Sequence, residues 1–270
     1  MWLCVNESVL SRKDVMPKFI AANWKMNKIR SEAKETAMAL SEALKKNLPD
    51  DRRIFLFPPF PSLSAVSECF ANFPKVSIGA QNFYPEDRGA FTGEVSLRML
   101  KDCGCTGVMI GHSERRHILH ESDEFIGKKT AYAVKNGFGV MLCVGETLEE
   151  RESGNLKEVL SRQLKSALTE SLLSSHSDEE LKKTCLIAYE PVWAIGTGKV
   201  AGPHEVLEAH CLVKELLQSL HRDVSFLPVL YGGSVNAKNA GELLAIQHVD
   251  GLLVGGASLE AESFLKIINA

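Results

Sequence analysis

The stretch that decides the fold runs from Phe19-Ile20-Ala21-Ala22, through the segment Ser31–Asn47, to Ile54-Phe55-Leu56-Phe57. Both short runs are apolar at every position, as strands covered on both faces of a parallel sheet are. Between them Ala33, Ala37, Leu40 and Leu44 recur at helical spacing and make one apolar stripe. The alternation then repeats, with further strand-like runs at Val76–Ala80, Gly107–Ile110, Gly139–Val144, Cys185–Tyr189, Phe226–Leu230 and Gly251–Val254. Asn155–Leu173, Glu205–Leu220 and Ala261–Ile268 read as amphipathic helices. The third unit is looser, because the long polar loop Gln81–Thr92 precedes its helix at Gly93–Leu100. Ser174–Asp178 reads as a short polar connection, and no low-complexity linker divides the chain. Eight strand–helix units in roughly 250 residues predict an α/β fold, a single-domain (β/α)8 barrel, where a doubly wound sheet usually has fewer strands.

The 270 residues are 45% hydrophobic and 24% charged, an ordinary globular composition that excludes disordered and collagen-like chains. Thirty-four acids against 31 Lys+Arg give a net charge of −3, no electrostatic case for nucleic acid. The longest apolar runs reach about half of the ~20 residues a membrane span needs. Seven cysteines (Cys4, Cys69, Cys103, Cys105, Cys143, Cys185 and Cys211) are odd in number and scattered, and are expected to be reduced thiols in a reducing compartment. The start, Met1–Ser8, is too short in its apolar part for a signal peptide, and Glu7 and Asp14 argue against a transit peptide. A cytoplasmic setting is expected.

In such a barrel the active site sits at the carboxyl ends of the strands. That rule selects Asn23 and Lys25 after the first strand, His112 after the fourth and Glu190 at the end of the sixth. Gly232-Gly233-Ser234 follows the seventh strand and Gly255-Gly256-Ala257-Ser258 the eighth. Each glycine pair ends a strand and opens a helix, where backbone N–H groups can meet an anion, and barrels commonly bind phosphate there. Gly196-Thr197-Gly198 is a third donor loop. No Cys/His cluster has metal spacing; His117 and His120 read as a solvated helical face. A carboxylate, an imidazole and a lysine facing a small phosphorylated ligand suit proton transfer beside a carbonyl, with no cofactor or metal. Lys25 could instead form a Schiff base, as in an aldolase; its place beside Asn23 and the phosphate loops favours charge stabilisation.

Five motifs carry a resemblance. Asn23-Trp24-Lys25-Met26-Asn27, Gly111-His112-Ser113-Glu114-Arg115-Arg116, Ala188–Lys199, Tyr231–Val235 and Val254–Ser258 occur in the order they have in the triosephosphate isomerase family, which the chain resembles from about Pro17 onward. The resemblance implies a TIM barrel interconverting dihydroxyacetone phosphate and D-glyceraldehyde 3-phosphate through an enediolate, in glycolysis and gluconeogenesis. It implies Glu190 as the base, His112 as a neutral electrophile and Lys25 as the cation offsetting phosphate and enediolate, with Glu114 supporting Lys25. Asn23 would help hold the substrate, and Gly196, Ser234, Gly255 and Gly256 would donate backbone N–H groups to phosphate. The start of a helix at Ser113 supplies a physical reason for a neutral His112, since the N–H groups there disfavour added positive charge.

Two departures leave that site untouched. Residues 1–16 form an N-terminal extension ahead of a barrel at 17–270, and a true start at Met16 is the expectation. Ala22 stands where many family members have Gly. The resemblance also implies a homodimer through the loop Gln81–Glu94, whose Phe83, Tyr84 and Phe91 are expected to be exposed, with Thr92 reaching the partner's site. Pro191–Lys199 would be a lid, with Pro191 at one end, Gly196 and Gly198 at the other and an apolar tip between. The competing readings are another phosphate-binding barrel, such as a sugar-phosphate epimerase or aldolase, and a non-catalytic binding barrel. The lid sequence and the acid–base set argue against them.

Overall fold

The computed structural model describes residues 16–195 and 201–270. In chain order the first half comprises β1 (Lys18–Asn23), α1 (Arg30–Lys46), β2 (Arg52–Phe57), α2 (Leu63–Cys69), β3 (Val76–Ala80), α3 (Leu97–Asp102), β4 (Gly107–Ile110) and α4 (Ser113–His117). There follow α5 (Asp123–Lys135), β5 (Gly139–Val144), α6 (Leu148–Glu152), α7 (Leu156–Ala167), α8 (Glu170–Ser175), α9 (Asp178–Thr184) and β6 (Cys185–Tyr189). The last are α10 (Pro203–Gln218), β7 (Val229–Tyr231), α11 (Ala240–Ala245), β8 (Gly251–Val254) and α12 (Ala261–Ile268). The strands pair in parallel in sequence order, and β1 pairs with β8 to close a single (β/α)8 barrel. No helix among the described residues is long and apolar enough to cross a membrane.

The strand's two-residue period divides the apolar side chains into two cores. Phe19, Ala21, Phe55, Phe57, Met109, Met141, Cys143, Leu186, Ala188, Leu230 and Leu253 fill the barrel interior. Ile20, Ala22, Ile54, Leu56, Val108, Ile110 and their alternating counterparts pack outward against the helices. On α1 the buried positions include Ala33, Ala37, Leu40 and Leu44, the stripe seen in the sequence.

Beyond shifts of one or two residues at an end, the structure differs from the expected elements in four places. β7 starts at Val229 instead of Phe226, because Pro228 has no N–H for the ladder; it runs on to Tyr231, which pairs with Tyr189 and Leu252. The helix expected over Asn155–Leu173 is two, since Leu168 leaves helical geometry and the Thr169 hydroxyl accepts the Leu172 N–H to start α8. Beyond Ser174–Asp178 lies α9, begun by a Ser177/Glu180 capping box. α3 starts at Leu97, not Gly93, which has φ 90°; Ser96 caps it instead.

The loop after β3 also departs from expectation. Phe83 is fully buried and stacks on Tyr132 at 6.2 Å, and Tyr84 is half-buried against Phe91 at 4.4 Å, leaving Phe91 as the exposed aromatic of the three. Six of the seven cysteines lie among the described residues, and all six are free.

Candidate active site

The alternation that fills the interior also aims the site. On β1, β6, β7 and β8 the last inward apolar residues are Ala21, Ala188, Leu230 and Leu253. Two residues further along the chain stand Asn23, at the end of β1, and Glu190, Gly232 and Gly255, each just past its strand, and all four line one cavity of about 310 Å³ at the carboxyl end of the barrel. Lys25, His112, Gly233, Ser234 and Gly256 line it as well. β4 breaks the rule. Inward-facing Met109 would bring residue 111 to the cavity, but Gly111 turns with φ 73° and delivers His112 there instead. A side chain at Gly111 would be strained by that φ, and its Cβ would lie 2.8 Å from Arg116 Nη2 and 3.0 Å from the Cys143 carbonyl oxygen.

His112 is buried and caps α4. The Glu114 N–H donates to its Nδ1 at 3.2 Å, so that nitrogen acts as an acceptor and the ring proton is on Nε2. Nε2 stands 3.2 Å from Glu190 Oε1. The other carboxylate oxygen of Glu190 accepts the Ser113 N–H at 3.0 Å. Glu190 is 2% exposed and pressed from behind: a Cβ at Gly232 would sit 2.9 Å from its Cγ. Only glycine lets the β7 loop approach the carboxylate so closely.

Lys25 adopts φ 52°, unusual for a side-chain-bearing residue. Its N–H donates to Asn23 Oδ1 at 3.0 Å, and its carbonyl accepts Gln81 Nε2 at 2.9 Å. Its ammonium donates to Glu114 Oε1 at 2.7 Å. Lys25 also lies along the β8 loop, since a Cβ at Gly255 would meet its Cε at 3.6 Å. Lys25, His112 and Glu190 therefore face one cavity whose far wall is glycine backbone.

The glycine loops are less alike than their sequences. The Gly232 N–H is already given to the Tyr189 carbonyl at 2.7 Å, and α11 begins only at Ala240, so this loop does not open directly into a helix. The Ser234 hydroxyl donates to the Ala194 carbonyl at 2.6 Å, which ties the loop to the segment after Glu190. After β8, Gly256–Ser258 forms a 3-10 turn directly. Gly196 and the rest of 196–200, including the Gly196-Thr197-Gly198 donor loop, lie outside the described residues. Of the expected lid, Val192–Ala194 forms a 3-10 turn and Ile195 reaches the cavity.

His117 and His120 are both exposed; His120 lies beyond α4 with φ 55°, so the pair shares no helical face. Sequence reasoning missed three residues that position the site. Gln81 bridges the Lys25 and Phe57 carbonyls, and the Ser113 N–H holds Glu190. Glu146 is buried with its Oε1 accepting from Tyr189 and Trp193. Gln81 and Glu146 each stand just beyond a strand's carboxyl end, so the rule that found Lys25 would have found them.

The Triosephosphate isomerase family model matches residues 18–270. The triosephosphate isomerase of Nitratidesulfovibrio vulgaris (strain DSM 19637 / Miyazaki F) is 50% identical over 256 residues, covering 94% of this chain and 100% of that protein. That of Aquifex aeolicus is 45% identical over 254 residues, covering 94% and 99%, and that of Chlamydia trachomatis 44% over 256, covering 93% and 89%. A barrel closed in this order, a family match over nearly its whole length and identities of this size leave one assignment: the chain belongs to the triosephosphate isomerase family.

Proposed function

We propose that this chain interconverts dihydroxyacetone phosphate and D-glyceraldehyde 3-phosphate by moving a proton between adjacent carbons. The observation that carries the reading is the meeting of Glu190, His112 and Lys25 at one cavity beneath the loops after β7 and β8. Glu190 takes the proton from carbon and returns it to the neighbouring carbon. His112 donates its Nε2–H to the substrate oxygen, the direction its hydrogen bond from Glu114 supports. Glu190 now accepts that Nε2 contact, so a substrate carbonyl competes for it and frees the carboxylate. Lys25 offsets the charge developing on oxygen, held in place by Glu114. That ion pair favours a fixed charge over a Schiff-base nucleophile.

Asn23 orients Lys25 through its backbone, and N–H groups of Ser234, Gly255 and Gly256 serve the phosphate, with Gly196 as a further donor. The reaction proceeds without metal or cofactor. The protein works in the cytoplasm, in glycolysis and gluconeogenesis, as a homodimer joined through the loop Gln81–Glu94; free cysteines support the reducing setting.

A coupled assay with D-glyceraldehyde 3-phosphate tests the activity. Glu190→Gln should keep the circular-dichroism spectrum and lower kcat by ~10²–10⁴-fold. A variant that keeps nearly full kcat would move the proton-transfer role elsewhere.

A further inference from the structure

Beside the proposed base, the carboxyl end of β5 carries a second buried acid. Glu146 Oε1 accepts from Trp193 Nε1 at 2.8 Å, Tyr189 Oη at 3.1 Å and Arg151 Nη1 at 3.3 Å. Its backbone carbonyl accepts the Val192 N–H at 3.1 Å, and the Glu190 N–H is given to Val144 at 2.8 Å. One acid thus grips the chain on both sides of Glu190, at Tyr189 and at Val192–Trp193. Arg151, on α6, meets three partners. Besides Glu146, its guanidinium lies 5.4 Å from the Trp193 ring centroid, and its Nη2 donates to Glu208 Oε2 on α10 at 2.8 Å.

We propose that Arg151 is a positioning residue for the isomerase reaction: it keeps Glu146 ionised and Trp193 seated, so that the segment Tyr189–Trp193 presents Glu190 to the cavity. This rests on Glu190 being the base. A carboxylate taken wholly out of water needs a counter-charge as well as hydrogen bonds. Burial holds the Glu146 carboxyl above the usual carboxylate range; hydrogen bonds from Trp193, the backbone and Tyr189 oppose that rise, and Arg151 adds the opposing positive charge. Among the described residues the neighbours offer no substitute cation. Tyr189, itself pushed well up by burial, stays a neutral donor, and Tyr231 on β7, raised to about 12, stays neutral. From α10 come Glu205, Glu208 and His210, two acids and a ring pushed down to about 4 by burial and so neutral at working pH. Without Arg151, Glu146 takes up a proton and its grip on Trp193 weakens.

Arg151→Met removes the charge and keeps most of the side chain's length. Its kcat should fall about tenfold, near the low end of what a hydrogen bond to a charged group is worth, with KM for glyceraldehyde 3-phosphate changed much less. The indole N–H resonance of Trp193, assigned through Trp193→Phe, should shift with pH across neutrality in Arg151→Met and stay flat in the parent. Arg151→Met combined with Glu146→Gln supplies an acceptor that needs no counter-charge and should regain most of the lost kcat. Arg151→Lys, which keeps the charge, should give a flat indole signal and serves if the Met variant does not fold. Parental kcat in Arg151→Met, or a flat indole signal with no recovery in the double variant, overturns the proposal. Full activity in Glu190→Gln would overturn the base assignment instead, while the indole titration would still report on Arg151.

Discussion

His210, fully buried on α10, lies edge-on to the Tyr189 ring at 5.9 Å and beside Tyr231 at 6.4 Å. Its Nδ1–H donates to the His248 carbonyl at 2.9 Å, and its buried Nε2 has no hydrogen-bond partner among the described residues. Burial pushes this ring down to about 4, so the unfolded chain binds its proton more readily than the folded one. Stability contributed by a neutral His210 is therefore complete above about pH 6.5 and is lost as pH falls toward about 4, by at most ~1.4 kcal/mol per pH unit. Thermal unfolding across that range should show the slope, and His210→Asn, which keeps a donor for His248, should flatten it. Equal slopes would remove His210 from the account. The sequence shows His210 merely as one position of a helix. Its neutrality comes from what packs around it, which no local pattern encodes. Glu190 is different: it stands at strand parity with Leu186 and Ala188, and that parity can be read directly. His112 needed one more step, since the left-handed turn at Gly111 is what brings it in.

Elements were legible where one force acts alone. β3, β4, β5, β6, β8 and α12 have the limits the apolar pattern predicts, because burial on both faces or along one stripe decides them. Hydrophobic spacing does not register a break that leaves the stripe intact, and that is the case between α7 and α8: Leu160, Leu164, Ala167, Leu172 and Leu173 are buried on either side of it. What ends one helix and starts the next is the single cap at Thr169. Thr169→Ala should cost about 1 kcal/mol and lower Tm by roughly 2–4 °C, with kcat unchanged because the cap lies outside the site. An unchanged Tm would mean that packing of Leu172 and Leu173 alone sets the break.

At the scale of the molecule, barrel closure was legible from the count of strand–helix units, whereas the state of association is carried by surface. Met26 is 95% exposed next to Lys25, and Ile118, Leu119 and Phe91 are exposed as well. Apolar groups of this size at one end of a barrel support a partner there. Sedimentation at micromolar concentration should give twice the chain mass, and a fully active monomer would rule the dimer out. The β1–β8 seam carries one more consequence, for folding. It pairs Phe19 with Gly251 and Ala22 with Val254, residues from opposite ends of the barrel sequence, and Trp24 Nε1 crosses it to the Ser258 carbonyl at 3.2 Å. Contacts so distant along the chain carry the greatest closure entropy and tend to form slowly. Lys25 and Gly255 sit on the two sides of that seam, so the cavity is incomplete until it zips. In refolding, helical circular dichroism should therefore return before turnover does, and turnover should mark the moment at which the first and last strands meet.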